Sequence, residues 1–162
     1  MASSEASKLL IIGVGNDDRS DDAVGRVVAR RLKRRLPRGA RVTEESGEGT
    51  SLLDAWKDAE IVILFDAARS GAPPGTVHRI DGLAQRLPKP LFRGSTHAFG
   101  VDEAIALGRE LKRLPPRLIV YGIEGKNFEE GRGLSPEVEK AAKEVEARTL
   151  EEILAFESFP LP

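Results

Sequence analysis

The chain has 162 residues, of which 40% are hydrophobic and 31% are charged, and this composition is typical of one globular domain with its own core. Its formal net charge of -1 provides no overall field that would attract nucleic acid or an anionic membrane. The sequence has no cysteine, which excludes a thiol nucleophile, a disulfide and any site in which the protein's own thiolates bind a metal.

The predicted elements alternate between strands and helices. Short apolar runs indicate buried strands, whereas apolar residues at helical spacing, such as Val24, Val28 and Leu32, indicate amphipathic helices. In chain order the sequence predicts a strand at 9–14, a helix at 21–36, a strand at 40–46, a helix at 51–57, strands at 60–66 and 76–80, a loop at 82–96, a helix at 101–114, a strand at 117–124 and a helix from the N-cap residue Ser135 to 156.

This alternation predicts an α/β fold of three layers, in which a twisted, mostly parallel five-stranded sheet has helices on both faces. The segment TVHRI at 76–80 alternates as an exposed or edge strand does. We find no repeat or linker, and therefore assign residues 1–162 to a single domain, with 1–7 and 157–162 as loose tails. The first apolar run is too short for a signal peptide or a membrane span, so we expect a cytoplasmic protein.

Acidic side chains follow several of the predicted strands. In an open parallel sheet, ligands bind beyond the carboxyl ends of the strands, and we expect these carboxylates to converge there. The loop GVGNDDRSDDAVG at 13–25 is too acidic for a phosphate, because carboxylates repel it, and the sequence favours a cation or a hydrogen-bonded cap. The acidic residues at strand ends are Asp17, Asp18, Asp21, Asp22, Glu44, Glu45, Asp66 and Glu124.

The sequence has two histidines. We interpret His78, in TVHRI, as the polar side of an edge strand. His97, in RGSTHAFG just before a predicted helix, is either a solvated loop residue or a metal ligand. Combined with two carboxylates it would form an Asp, Asp, His set, which suits nickel, zinc or iron and leaves coordination positions open.

Two other readings of the sequence are weaker. Ser95 and Thr96 adjoin His97, but adjacency does not provide the geometry of a catalytic triad. The basic segment RRLKRR at 30–35 lies at the end of an amphipathic helix, and we interpret it as a solvated face rather than a nucleic-acid site.

Four segments resemble the motifs of the hydrogenase maturation endopeptidases, which trim the C-terminus of nickel-iron hydrogenase large subunits. GVGNDDRSDDAVG is similar to the family's opening motif, G-[IV]-G-N followed by an acidic pair. FDAARSGAPPGTV is similar to its second aspartate segment, and STHAFGVDEAIAL to its S-x-H segment. VYGIEGKNFEEGRGLSPEV is similar to its closing block. Because the four segments occur in the family's order over nearly the whole chain, the protein is identified as a member.

The resemblance implies that Asp22, Asp66 and His97 are the catalytic and metal-binding residues, and that the metal is nickel delivered in the substrate. It further implies a monomeric aspartyl-type endopeptidase whose partner is a nickel-iron hydrogenase large-subunit precursor, with no nucleic acid and no membrane. The chain has Asp22 where many members have glutamate, and Ala23 where many have glycine. The segment NDDRS is more charged than the family's usual apolar run, and it leaves Asp17 and Asp18 without a role.

Two alternatives share the same residues. One is a metal-dependent hydrolase of a small molecule, which would carry its own tightly bound metal. The other is an inactive relative that serves as an assembly factor. The sequence does not name the hydrogenase, the cleavage site or the role of Glu124.

Overall fold

The computed structural model describes residues 9–84 and 100–158. In these residues five strands form one sheet, and four helices pack against it. The strands are β1 (Leu9–Val14), β2 (Arg41–Glu45), β3 (Ile61–Ala68), β4 (Val77–Asp81) and β5 (Arg117–Glu124). The helices are α1 (Val24–Lys33), α2 (Gly49–Ala55), α3 (Val101–Glu110) and α4 (Pro136–Ser158), and a single 3-10 turn, Ser20–Ala23, precedes α1.

The sheet has the strand order β2-β1-β3-β5-β4. The first four strands in this order are parallel, and β4 runs antiparallel to β5 at one edge. The connection from β3 to β4 contains GAPPG and is too short for the crossover that a parallel return requires, so the chain reverses. This arrangement confirms the predicted mostly parallel five-stranded sheet and the edge position of TVHRI.

The two faces of the sheet carry separate hydrophobic cores, as the prediction of helices on both faces requires. On one face, alternate residues of β1, β3 and β5 pack around the buried Trp56 together with α2 and α3. The intervening residues, such as Ile11 and Ile63, pack on the other face with α1 and α4. Strands buried on both faces explain the continuous apolar runs in the sequence.

The first helix begins later than predicted. Residues 20–23 form a 3-10 turn, and α1 covers only Val24–Lys33 instead of 21–36. The cause is at Ser20, which has a positive φ of 52° and whose amide donates to the carbonyl oxygen of Gly131 at 2.9 Å. This contact holds the chain away from the helical path until Ala23, so the turn that carries Asp21 and Asp22 has a geometry of its own.

Other boundaries differ by a few residues. β3 extends two residues beyond 66, α3 ends at Glu110 rather than at 114, and α4 continues to Ser158. The early end of α3 coincides with the positive φ of 56° at Lys112, which a helix does not allow. Part of the predicted loop at 82–96 and most of the predicted tails lie outside the described residues.

The buried carboxylate of Asp21 connects the 3-10 turn to the loop between β5 and α4. It accepts hydrogen bonds from the amides of Lys126, Asn127 and Ser135 at 2.7–2.9 Å and from the Ser135 hydroxyl at 2.7 Å. Burial alone would raise the pKa of Asp21, but these hydrogen bonds stabilise the charged form and lower the pKa below its ordinary value. Asp21 therefore fixes the position of the turn against the far end of the chain.

Within 9–84 and 100–158, no helix is long and apolar enough to cross a bilayer. The assignment of 1–162 to a single domain stays a prediction.

We expect Gly25→Ala to destabilise the protein by at least about 2 kcal/mol, because overpacking a close contact costs energy. A Cβ at Gly25 would lie 2.2 Å from the carbonyl oxygen of Phe65 and 2.4 Å from that of Val14, and neither backbone atom can move away easily. Gly108→Ala is the matched control, because the atoms nearest to its Cβ would belong to the side chains of Leu114 and Leu53, which can shift more easily than backbone. Urea denaturation measures both variants, and equal stabilities would contradict the packing described at Gly25.

We expect Asp21→Asn to lower the free energy of unfolding by about 3 kcal/mol, because an amide cannot accept all four hydrogen bonds. The control is Asp18→Asn in the same loop, where the exposed ion pair with Arg132 contributes less than about 1 kcal/mol. Faster hydrogen exchange at the Ser135 amide in Asp21→Asn would locate the damage. Equal losses in the two variants would show that the buried carboxylate has no special contribution.

The stabilising effect of Asp21 depends on pH. Because its pKa is lower in the folded than in the unfolded protein, its contribution is complete above the unfolded pKa of about 4 and is lost as the pH falls through the folded pKa. The stability difference between wild type and Asp21→Asn should shrink between pH 7 and pH 3 in urea denaturation. A difference that does not change over this range would contradict the charged state assigned to Asp21.

Candidate functional site

Asp22 and Asp66 lie at the carboxyl ends of neighbouring parallel strands, where the sequence places them. Asp22 belongs to the 3-10 turn that follows β1, and Asp66 lies in the last third of β3. Gly13 of β1 is paired with Phe65, which brings the end of β1 level with Asp66. The carboxyl ends of parallel strands are the edge at which open α/β sheets bind ligands.

Asp66 faces the side of the sheet that α2 and α3 cover. Its neighbours at alternate positions, Leu64 and Ala68, both belong to the core on that side, and side chains two apart in a strand share a face. Protein atoms surround the Asp66 carboxyl group closely, although part of the residue's surface is accessible. The amide of Ala67 donates a hydrogen bond to it at 2.8 Å.

The pKa of Asp66 is raised well above its ordinary value. Burial is the main cause, the negative charge of Asp22 is the second, and Asp102 adds to it, while the hydrogen bond from Ala67 acts in the opposite direction. Asp22 and Asp66 follow the neighbouring strands β1 and β3, so their negative charges lie at the same end of the sheet. Two carboxylates at the same end of a sheet favour either a proton or a cation between them.

Asp22 is oriented by the backbone of the preceding loop. The amide of Asn16 donates a hydrogen bond to Asp22 Oδ2 at 2.9 Å. Gly15, directly before it, has φ of 150°, and a Cβ there would lie 2.1 Å from the carbonyl oxygen of Asp22. Only glycine fits this turn, which explains why GVGN precedes the acidic pair.

Asp102, in the first turn of α3, is a third carboxylate near the pair, and the sequence analysis missed it. Burial raises its pKa, and the charge of Glu103 raises it further. Its position five residues after His97 could have identified it, because the helix that follows the S-x-H segment brings its first turn to the same edge of the sheet.

His97 lies outside the described residues, so its predicted role as a ligand is not tested. Among residues 9–84 and 100–158, no group of three or more histidine, cysteine, aspartate or glutamate side chains has the arrangement of a metal site. The chain enters the described part again at Gly100, and the first residue of α3, Val101, is buried in the core on the side of Asp66.

Glu124 binds the turn that follows β3. The buried Glu124 carboxylate accepts hydrogen bonds from the Ser70 amide at 2.8 Å and the Ser70 hydroxyl at 2.6 Å. His78 Nε2 lies 3.1 Å from Glu124 Oε1, so this histidine is more than the solvated polar side of β4. These contacts hold the turn after β3 in place and give Glu124 the role that the sequence left open.

The remaining acidic residues of the opening loop form ion pairs. Asp17 pairs with Arg30 at 2.5 Å, and Asp18 pairs with Arg132 at 3.0 Å. Hydrogen bonds from Arg30 lower the pKa of Asp17 and of Glu44. The basic segment at 30–35 is therefore only partly the solvated face that the sequence predicted, since Arg30 binds the opening loop and Arg31 binds Glu139 of α4.

The chain is similar to known proteins over most of its length. The model of the HycI hydrogenase maturation protease family matches residues 27–152. The hydrogenase expression/formation protein HupD of Thiocapsa roseopersicina is 27% identical over 92% of this chain and 69% of its own. The hydrogenase 2 maturation protease of Escherichia coli is 28% identical over 91% of this chain and 89% of its own.

Solved structures agree in fold. The hydrogenase maturating endopeptidase HybD of Escherichia coli has a TM-score of 0.73 at 21% identity and covers 91% of this chain and 93% of its own. The [NiFe] hydrogenase maturation protease HybD of Thermococcus kodakarensis has a TM-score of 0.70 at 25% identity and covers 90% and 99%. Since the family model covers more than half of the chain, the protein belongs to the hydrogenase maturation proteases and is a peptidase.

Proposed function

We propose that this protein removes the C-terminal extension of a nickel-iron hydrogenase large-subunit precursor after nickel has been inserted. Asp22, Asp66 and His97 contact the nickel that the precursor carries, and the adjacent peptide bond is hydrolysed. The family membership supports the peptidase activity on a hydrogenase, and the relatives' names refer to hydrogenase maturation. The names of these relatives do not specify the contact with nickel or its three residues, and both are part of the proposal.

The observation that carries the proposal is the position of Asp22 and Asp66 at the carboxyl ends of the neighbouring parallel strands β1 and β3. The two strands place both carboxylates at the same end of the sheet, and the charge of Asp22 helps to raise the pKa of Asp66. Holding two like charges close together is unfavourable, and a divalent cation between them removes the penalty. Binding of a metal therefore lowers the free energy of such a site.

The available ligands suit a metal that belongs to another protein. Two carboxylates and an imidazole provide three ligands and leave positions open for a substrate. The chain has no cysteine, so any thiolate on the nickel must come from the precursor. The protease then recognises a metal held by both proteins, and a precursor without nickel lacks the group that this site binds.

Hydrolysis adds water across one peptide bond and releases a C-terminal peptide and a new carboxylate on the large subunit. Contact with the nickel places this bond beside Asp22 and Asp66. A cytoplasmic location and a monomeric state stay predictions from the sequence.

We expect purified protein to cleave the nickel-loaded precursor and to leave the nickel-free precursor intact. Mass spectrometry of the large subunit measures the mass lost and identifies the cleaved bond. Equal cleavage of both forms would refute recognition through the metal. A stoichiometric, tightly bound zinc in the purified protein, together with no cleavage of either form, would favour the small-molecule hydrolase instead.

We expect Asp22→Asn, Asp66→Asn and His97→Gln each to lower kcat/KM for the nickel-loaded precursor by at least ~100-fold, because each removes a proposed metal ligand. Asp58→Asn, at an exposed position after α2, is the control and should cleave as the wild type does. Circular dichroism would verify that all four variants are folded. Wild-type cleavage by any of the three site variants would remove that residue from the proposed site.

A further inference from the structure

We propose that Arg26 is a positioning residue, which orients the Asp22 carboxylate through the peptide group between Gly15 and Asn16. The inference rests on the proposed function, because it assigns Asp22 to the metal site. Arg26 itself lies on the first turn of α1 and contacts this peptide group rather than Asp22.

One peptide group connects the arginine to the carboxylate. Arg26 Nη1 donates a hydrogen bond to the carbonyl oxygen of Gly15 at 3.1 Å. The amide of Asn16, which is the other half of the same planar group, donates to Asp22 Oδ2 at 2.9 Å. A charged donor on the carbonyl oxygen polarises the peptide group, and this strengthens the hydrogen bond that its N–H makes.

The Gly15–Asn16 peptide has a defined orientation only when both of its ends are held. Before it, the amide of Gly15 donates to the carbonyl oxygen of Glu45 at 3.1 Å. A glycine at φ of 150° has no side chain that would restrict rotation of the peptide that follows it. The guanidinium of Arg26 therefore provides the restraint that a side chain would otherwise supply.

The fold fixes the position of Arg26 both at its side chain and at the adjacent backbone. Arg26 Nε donates to Glu44 Oε1 of β2 at 2.9 Å. The preceding residue, Gly25, lies directly against the carbonyl oxygens of Val14 and Phe65, which sets the distance between α1 and the sheet. The position of Asp22 therefore depends on the rigid strands as well as on the loop.

The ion pairs of Arg26 also reduce its repulsion of a metal at the proposed site. An unpaired arginine close to a metal site would repel the metal, because both are cations. Glu44 at 2.9 Å and Asp17 at 3.9 Å balance the charge of Arg26. Arg26 can therefore donate its hydrogen bond without opposing the approach of nickel, and the acidic residues around it have a purpose apart from binding the metal.

Arg30 provides a matched comparison within the same cluster. It binds the same carboxylates, Asp17 and Glu44, from one turn further along α1. Its described hydrogen bonds go to those two side chains and not to the Gly15 carbonyl. Removing Arg30 therefore disturbs the ion pairs and preserves the connection to Asp22, whereas removing Arg26 disturbs both.

The experiment compares Arg26→Met with Arg30→Met in two measurements. In ¹H–¹⁵N spectra of the protein alone, Arg26→Met should shift the Asn16 amide proton upfield, because its hydrogen bond weakens, and Arg30→Met should change this signal little. With the nickel-loaded precursor, Arg26→Met should lower kcat/KM by about 10- to 100-fold, the usual loss when a group that orients a metal ligand is removed. Arg30→Met should stay within about 3-fold of the wild type.

A further variant, Arg26→Lys, keeps the charge and the helix but cannot bind Glu44 and Gly15 with one planar fork. Intermediate values in both measurements are expected, and they would separate positioning from loss of folding if Arg26→Met were unstable. An unchanged Asn16 signal in the Arg26 variants, or equal effects of Arg26→Met and Arg30→Met, would overturn the inference. Absence of cleavage by the wild type would refute the proposed function, while the Asn16 signal would still decide the role of Arg26.

Discussion

The site depends on one buried interaction, the hydrogen bonds that the Asp21 carboxylate accepts from the loop between β5 and α4. A buried charge is costly unless its hydrogen bonds are made, so Asp21 has one stable place. Together with the contact between Ser20 and Gly131, Asp21 fixes the path of the 3-10 turn that carries Asp22. Adjacent aspartates therefore differ in role, since Asp21 is bound inside the protein and Asp22 lies at the end of the sheet that also carries Asp66.

The acidic residues of the opening loop have separate structural roles. Asp17 and Glu44 bind the arginines of α1, Asp18 pairs with Arg132 at the surface, and Asp22 lies at the same end of the sheet as Asp66. Two of the loop's four carboxylates, Asp17 and Asp18, are thus balanced by arginine, and Asp21 is stabilised by hydrogen bonds.

The sequence was sufficient for the fold because its strongest patterns are local. Apolar runs such as LLIIGV and RLIVYGIE predict strands buried on both faces, and β5 has the predicted bounds. The same reasoning placed Asp22 and Asp66 after strands whose carboxyl ends converge, and the structure shows that these two strands are neighbours. It could not separate the roles of Asp21 and Asp22, or find those of Glu124 and Arg26, because their partners are distant in sequence or are backbone atoms. Ser20 illustrates the limit: its contact with Gly131 delays the start of α1, and no local pattern records that contact.

The Asp21 interaction also has a consequence for folding. Its hydrogen bond with the Ser135 amide joins residues separated by 114 positions, so it closes a loop that contains most of the chain. Contacts of such large sequence separation form late, because the entropy of closing the loop must be overcome first. The direction of Asp22 is consequently set only when β5 and the start of α4 are in place. An incompletely synthesised or locally unfolded chain has both aspartates of the pair but no fixed geometry between them, and the proposed site is a property of the finished fold.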